Sequence, residues 1–266
     1  MPPAVTLGLL AALTLVSCTN GSSTPAGTDA AGGGSDATTG GGTDAPGGGG
    51  GSTEKFSFFV TSMATMKSQS NNEMGFGGNF GGLAGADKIC QNAAAAVGFG
   101  NKTWRAFLSA YNNGTPIHAI DRVGEGPWYS RTGKLIAMNK AGLAATRPAG
   151  DTATVNDLPD ETGAPLAQFG DTHDVLTGST AAGKFNGTSG VNTCNDWTSA
   201  SDSADFDHTV MAGHSWPANS GRGWVNAHAV GGCAPGINLI QSGPGRDRTV
   251  GGGGGWGAIY CFALTP

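Results

Sequence analysis

Three stretches of the chain differ in how apolar and polar residues are arranged. Residues 4–17 are almost entirely apolar, whereas residues 19–53 are nearly all Gly, Ser, Thr, Ala, Asp and Pro, with no aromatic residue. After residue 53, apolar positions return with definite periods. Residues 55–62 are aromatic and β-branched with partial alternation, which predicts a first strand. Leu83, Ala86, Cys90, Ala93, Ala94 and Val97 form one apolar stripe at steps of three and four, which predicts a helix that Gly98 ends. Cys90 lies on that stripe and so is expected to face the core. Short strands are predicted at residues 104–109, 133–137 and 174–177, with a closing strand at 258–262. Residues 71–82, most of 141–190 and the stretch after Cys194 read as loop. Loops longer than about 15 residues inside a domain are usually functional or disordered.

The first two stretches predict export and tethering. The apolar run is shorter than the ~20 residues needed to span a bilayer, but it suits the core of a signal peptide. The segment before it, Met1-Pro2-Pro3, lacks the Lys or Arg usual there. Leu15-Val16-Ser17-Cys18 reads as a bacterial lipoprotein signal, with residues 1–17 removed and Cys18 lipidated. Acyl chains on Cys18 would anchor the chain to a membrane, each buried CH₂ contributing about 0.8 kcal/mol. Thr19 rather than Asp follows that cysteine, which favours the outer membrane or cell surface. Residues 18–53 cannot bury enough apolar surface to offset the entropy of ordering, and read as a flexible linker. Residues 54–266 remain as one domain with a substantial core.

Composition narrows the partners. Charged residues make up 12 % of the chain, about half the usual ~25 %, and the net charge is −5. With no cluster of Lys or Arg to neutralise phosphates, nucleic acid is not an expected partner. Beyond Cys18 four cysteines remain, Cys90, Cys194, Cys233 and Cys261. An even number in an exported domain predicts two disulfides, and three pairings are open. No Cys-x-x-Cys occurs, so zinc-ribbon spacing is absent.

Several stretches, taken in order, resemble a known family. Gly82-Leu83-Ala84-Gly85-Ala86-Asp87 up to Cys90, then Ala94 to Gly98, then Trp104-Arg105-Ala106-Phe107-Leu108-Ser109 resemble the opening of the endostatin domain of certain collagens. They also resemble bacterial secreted and lipoprotein domains of the same C-type lectin-like fold. Arg122-Val123-Gly124 with Gly126-Pro127-Trp128-Tyr129, His173 to Gly178, Cys194-Asn195-Asp196-Trp197-Thr198-Ser199 and Ile259-Tyr260-Cys261-Phe262 are similar to that bacterial group. The resemblance implies an α+β, C-type lectin-like (endostatin-like) fold with few short strands, one clear early helix and long disulfide-stapled loops. It also implies the pairing Cys90–Cys261 and Cys194–Cys233. The sugar-binding calcium motifs of such lectins, Glu-Pro-Asn or Gln-Pro-Asp with Trp-Asn-Asp, are missing, and Asn195-Asp196-Trp197 has those letters in another order.

Candidate chemistry concentrates in the second half. Residues 178–184 approach a phosphate-binding loop, but Phe185 stands where Ser or Thr would hold magnesium, so a surface loop is expected. Gly213-His214-Ser215-Trp216-Pro217 lacks the last glycine of a nucleophile elbow. His208, His214 and His228, with Asp205 and Asp207, could supply imidazole and carboxylate to a metal, although surface or hydrogen-bonding histidines are the default expectation. His173-Asp174 reads as a turn or strand-edge pair. Calcium could be held by oxygens of Asp196, Asp202, Asp205 or Asp207, but no spacing supports it and a solvated acidic loop is expected. Trp197 is expected in the core; Trp216 and Trp224 are candidates for a contact surface. The pentaglycine at 251–255 would allow positive φ or close approach to a neighbouring segment.

With no complete catalytic constellation, the expected function is non-enzymatic. It is a surface-tethered module that recognises a glycan or surface protein through the loops between Cys194 and Cys233, with Trp216, Trp224, His214, His228, Asp205 and Asp207 as candidate contacts. The alternatives are a metal- or cysteine-dependent enzyme on the same fold, and a purely structural envelope lipoprotein.

Overall fold

In the computed structural model of the chain, which describes residues 54–217, 221–240 and 247–265, the aromatic run after Lys55 becomes β1 (Phe58–Val60). The expected signal segment, lipidated Cys18 and linker lie outside the described residues. The architecture is α+β, with small sheets and few helices. Among the described residues no helix is long and apolar enough to cross a membrane.

The predicted apolar stripe forms α2 (Gly82–Ala96), with Ala86, Ile89, Cys90, Ala93 and Ala94 buried. Gly85 lets its first turn close on the chain before it, since a Cβ there would lie 1.8 Å from the Phe80 carbonyl oxygen. A helix that the apolar pattern does not announce, α1 (Met63–Ser70), precedes it and buries only Met66. Its ends define it: Ser62 accepts from the Thr65 amide at the N-cap, and Asn71 adopts the left-handed conformation at the C-cap.

The remaining strands are β2 (Trp104–Ala106), β3 (Ala110–Asn112), β4 (Thr115–Ile117), β5 (Trp128–Tyr129), β6 (Leu135–Ala137), β7 (Asp174–Leu176), β8 (Met211–His214), β9 (His228–Ala229) and β10 (Gly255–Ala263). The main sheet runs β1-β10-β7-β8-β9, with β2 also on β10, while β3-β4 and β5-β6 are separate hairpins. β10 is buried throughout, which explains its unbroken apolar run. Its C-terminal half pairs antiparallel with β1 (Phe58↔Phe262) and β2 (Cys261↔Ala106), and its N-terminal half pairs parallel with β7 (Ala258↔Val175). β8 and β9 replace part of the loop expected after Cys194.

An aromatic core surrounds the C-terminal half of β10. Phe262 meets Phe58 and Trp128 edge-on, with ring centroids 4.9 and 5.3 Å apart. Each such ring contributes about 1.5–3 kcal/mol by leaving water. Trp197 is in the core as expected. Trp224 is there too, at 0 % exposure, which corrects its assignment to a contact surface. The indole fills space between Phe107 and Tyr260 and donates Nε1–H to the Leu143 carbonyl, so nothing of it faces solvent.

Two disulfides close the structure, Cys90–Cys261 and Cys194–Cys233, with Cα atoms 5.5 and 5.8 Å apart. This is the pairing that the resemblance implies, and it fits an extracellular or periplasmic compartment. The first joins α2 to β10. The second staples the loops that lead to β8 and β9.

Candidate metal centre

Register gathers polar side chains at one end of β7, β8 and β9. Asp174 stands directly opposite His214, and cross-strand partners share a face. His228 opposes Ala212, two residues from His214 along β8, so it lies on that face as the diagonal neighbour. His173, one residue from Asp174, belongs on the other face of a regular strand. The chain is irregular here: the amides of both His173 and Asp174 donate to the Gly254 carbonyl, at 2.9 and 3.0 Å, just ahead of the β7–β10 register shift between Gly255 and Ala258. Two residues opposite one is the arrangement that redirects a side chain.

Four potential ligand atoms, one each from His173, Asp174, His214 and His228, therefore lie within 4.8 Å of one another. Asp174 Oδ1 is 3.0 Å from Nε2 of His228, 3.5 Å from Nε2 of His173 and 3.6 Å from Nε2 of His214. None of these contacts has hydrogen-bond alignment: all three Nε2 atoms and both Asp174 oxygens are buried without a hydrogen-bond partner. Burying so many unmatched polar atoms costs about 1–3 kcal/mol for each. A tetrahedral ion with bonds of about 2.0–2.1 Å sets its ligands about 3.3 Å apart. The three distances from Asp174 Oδ1 bracket that value, and no pair of ligand atoms is more than 4.8 Å apart.

The outer nitrogens support the same polarity. His173 Nδ1 lies 3.0 Å from Asp171 Oδ1, and His228 Nδ1 lies 3.0 Å from the Ala229 carbonyl oxygen. With Nδ1–H donated outward, each ring turns the lone pair of Nε2 inward, which is how outer partners orient metal-bound histidines. Burial, reinforced by His173 and His228, pushes His214 down to about 2, so it is a neutral imidazole. The Asp174 carboxylate beside His228 raises that residue's proton affinity.

The surroundings hold these ligands in place. Arg147, itself pushed down by burial, donates to the carbonyls of His214, Ser215 and Val155 and pins the end of β8. Trp216 donates Nε1–H to the Thr172 carbonyl at 3.0 Å and packs its ring edge-on to His173, centroids 5.3 Å apart. It is a half-buried wall of the cluster. Gly253 packs bare backbone against the cluster: a Cβ there would lie 2.0 Å from Asp174 Oδ2 and 2.4 Å from His228 Cε1. Close approach is thus the use of the pentaglycine. A cavity of about 610 Å³ is lined by Gly253 and by His228, whose side chain is 27 % exposed.

Of the candidates read from sequence, His214 and His228 join the cluster, where surface positions were the default. His208 and Asp207 line the cavity instead, and Asp207 faces Arg248 at 3.4 Å. Asp205 is exposed and accepts from the Ser203 hydroxyl. Asp196 accepts from the Tyr111 amide and the Thr193 hydroxyl. Asp202, Asp205 and Asp207 are not in the metal-competent group found among the described residues. His173 and Asp174 are centre residues rather than a turn or edge pair, since β7 lies between β10 and β8. The sequence clue to them was a His-Asp pair opening a predicted strand. No protein-family model and no curated protein matches the chain.

Proposed function

We propose that this is an exported, metal-dependent binding module. A divalent transition ion, zinc by preference, sits among His173, Asp174, His214 and His228, and the loops between Cys194 and Cys233 present the adjoining cavity to a ligand. The observation that carries this reading is the set of buried Nε2 atoms without hydrogen-bond partners around Asp174 Oδ1. Three imidazoles and one carboxylate suit zinc and its neighbours, whereas calcium takes six to eight oxygens. The C-type lectin-like fold belongs to the same proposal. It is supported by the link from the early helix to the last strand through Cys90–Cys261 and by the stapled loops. Lipid attachment at Cys18 and a glycan or surface protein as the final partner are likewise part of it.

A metal-dependent enzyme is the second reading. The cavity that His228 lines favours it, because a substrate held there would lie directly against one of the ligands.

The test is metal content. The purified full chain, stripped with chelator and dialysed against zinc, should retain one zinc per chain by elemental analysis. The double variant His214→Ala/His228→Ala should retain none, with its far-ultraviolet circular dichroism unchanged. Wild-type chain that retains neither zinc, cobalt, nickel nor copper overturns the proposal.

A further inference from the structure

The cavity takes part of its wall from His228, Ala229 and Gly231 and part from Gly252 and Gly253. Both segments meet at the cluster: His228 Nε2 lies 3.0 Å from Asp174 Oδ1, and the Gly253 backbone packs against Asp174 and His228. The first segment is lightly held. β9 is the last strand of the main sheet and pairs with β8 through two residues, Met211↔Ala229 and Ala212↔His228. On either side of it the Ala227 and Val230 amides donate to the Ala212 and Val210 carbonyls, at 2.8 and 2.9 Å. Residues 226–229 are half-buried between the buried Val225 and Val230, and none of them adds a side chain to the hydrophobic core. Asn226 donates to the Ser179 carbonyl, and Arg222 donates to the Ala227 carbonyl.

We infer that the ion of this centre is a clasp: it ties β9 to β7 and β8 and so sets the cavity wall, without itself touching what the cavity holds. This rests on the metal-centre reading above. The three Nε2 atoms and both Asp174 oxygens are buried, and of the four ligand residues His228 is the one that lines the cavity. His173 and Asp174 stand at the start of β7, His214 on β8 and His228 on β9. β7 lies inside the sheet, between β10 and β8, so the ion fastens an edge strand to a fixed one. Without it, the inward nitrogens and the Asp174 oxygens face one another with no hydrogen bond between them, at about 1–3 kcal/mol for each unmatched atom. Turning β9 outward relieves that cost, because His228, at 27 % side-chain exposure against 0–3 % for the other three, is the ligand nearest to water. Segments with few buried apolar contacts are the ones that open locally. The supply of metal thereby regulates whether the cavity holds its binding shape.

Amide hydrogen exchange read by mass spectrometry tests the clasp on the purified full chain, compared stripped of metal and loaded with zinc, with zinc content measured on the same samples. In the stripped chain, peptides covering residues 226–231 should exchange about tenfold faster than in the loaded chain, because the Ala227 and Val230 amides lose their partners on β8 and beside it. Peptides from α2 and from residues 258–263 of β10 should stay protected in both samples over the same labelling times. Bound zinc with unchanged exchange at 226–231, or loss of protection throughout α2 and β10 on stripping, overturns the clasp and leaves the metal centre standing. A chain that retains no zinc removes both.

Discussion

The two halves of β10 lie in opposite environments. Toward its C-terminus, Tyr260 and Phe262 are packed among Phe58, Phe107, Trp128 and Trp224, and every neighbour is chosen for volume. Toward its N-terminus, Gly255 pairs with Asp174, and Gly253 and Gly254 offer only backbone to a group of histidines. One end is stabilised by burying apolar surface and by a covalent link. The other keeps buried polar atoms unmatched and tolerates no side chain at Gly253. A protein that spends stability in one place and gains it in another separates its scaffold from its site in just this way.

The comparison breaks first at the disulfide. Replacing Cys90 and Cys261 together by Ser should lower stability by about 4–5 kcal/mol and the melting temperature by roughly 10–20 °C. Zinc stoichiometry measured well below that melting temperature should not change. Thermal melting with parallel elemental analysis reads both, and a loss of zinc in the folded variant would show that the halves are not separable.

Next comes Gly253→Ala. The added methyl meets Asp174 Oδ2 and His228 Cε1, so zinc affinity should fall on the order of a hundredfold, about 2.7 kcal/mol. Competition against a fluorescent zinc chelator measures it. The metal-free protein should also melt lower, since the buried Asp174 carboxylate has to move to admit the methyl.

The smallest effect is expected at Asp171→Asn. It leaves an acceptor near His173 Nδ1 but removes the negative charge beside it. Zinc affinity should drop about tenfold, toward the low end for outer partners of metal-bound histidine. The same chelator competition applies, and an unchanged affinity would make Asp171 a bystander.

How much of this was readable from the chain follows the same division. α2 and β10 announce themselves because burial on one stripe or on both faces leaves a periodic or continuous apolar trace. β8 does not: Met211-Ala212-Gly213-His214 is short and carries small residues, and Gly213 must be bare because a Cβ would lie 1.8 Å from the Trp224 carbonyl oxygen. Such a strand has no propensity signature. The count of disulfides followed from the cysteines, but their pairing came only with the family resemblance. The centre was half legible. His214 and His228 stood out as metal-capable, yet His173 and Asp174 join them through strand register and a local irregularity, neither of which leaves a spacing motif. Trp224 misled because an indole in a loop-like sequence gives no sign of whether its N–H will find a buried carbonyl.

The order of strands also decides how the molecule carries a load. Traction on the chain upstream of Glu54 is taken by β1, passes through its hydrogen bonds to β10, and runs covalently from Cys261 to Cys90 in α2. β8 and β9 lie beyond β7 from that route. The domain can be tugged at its leading edge while the mouth that would grip a ligand keeps its shape.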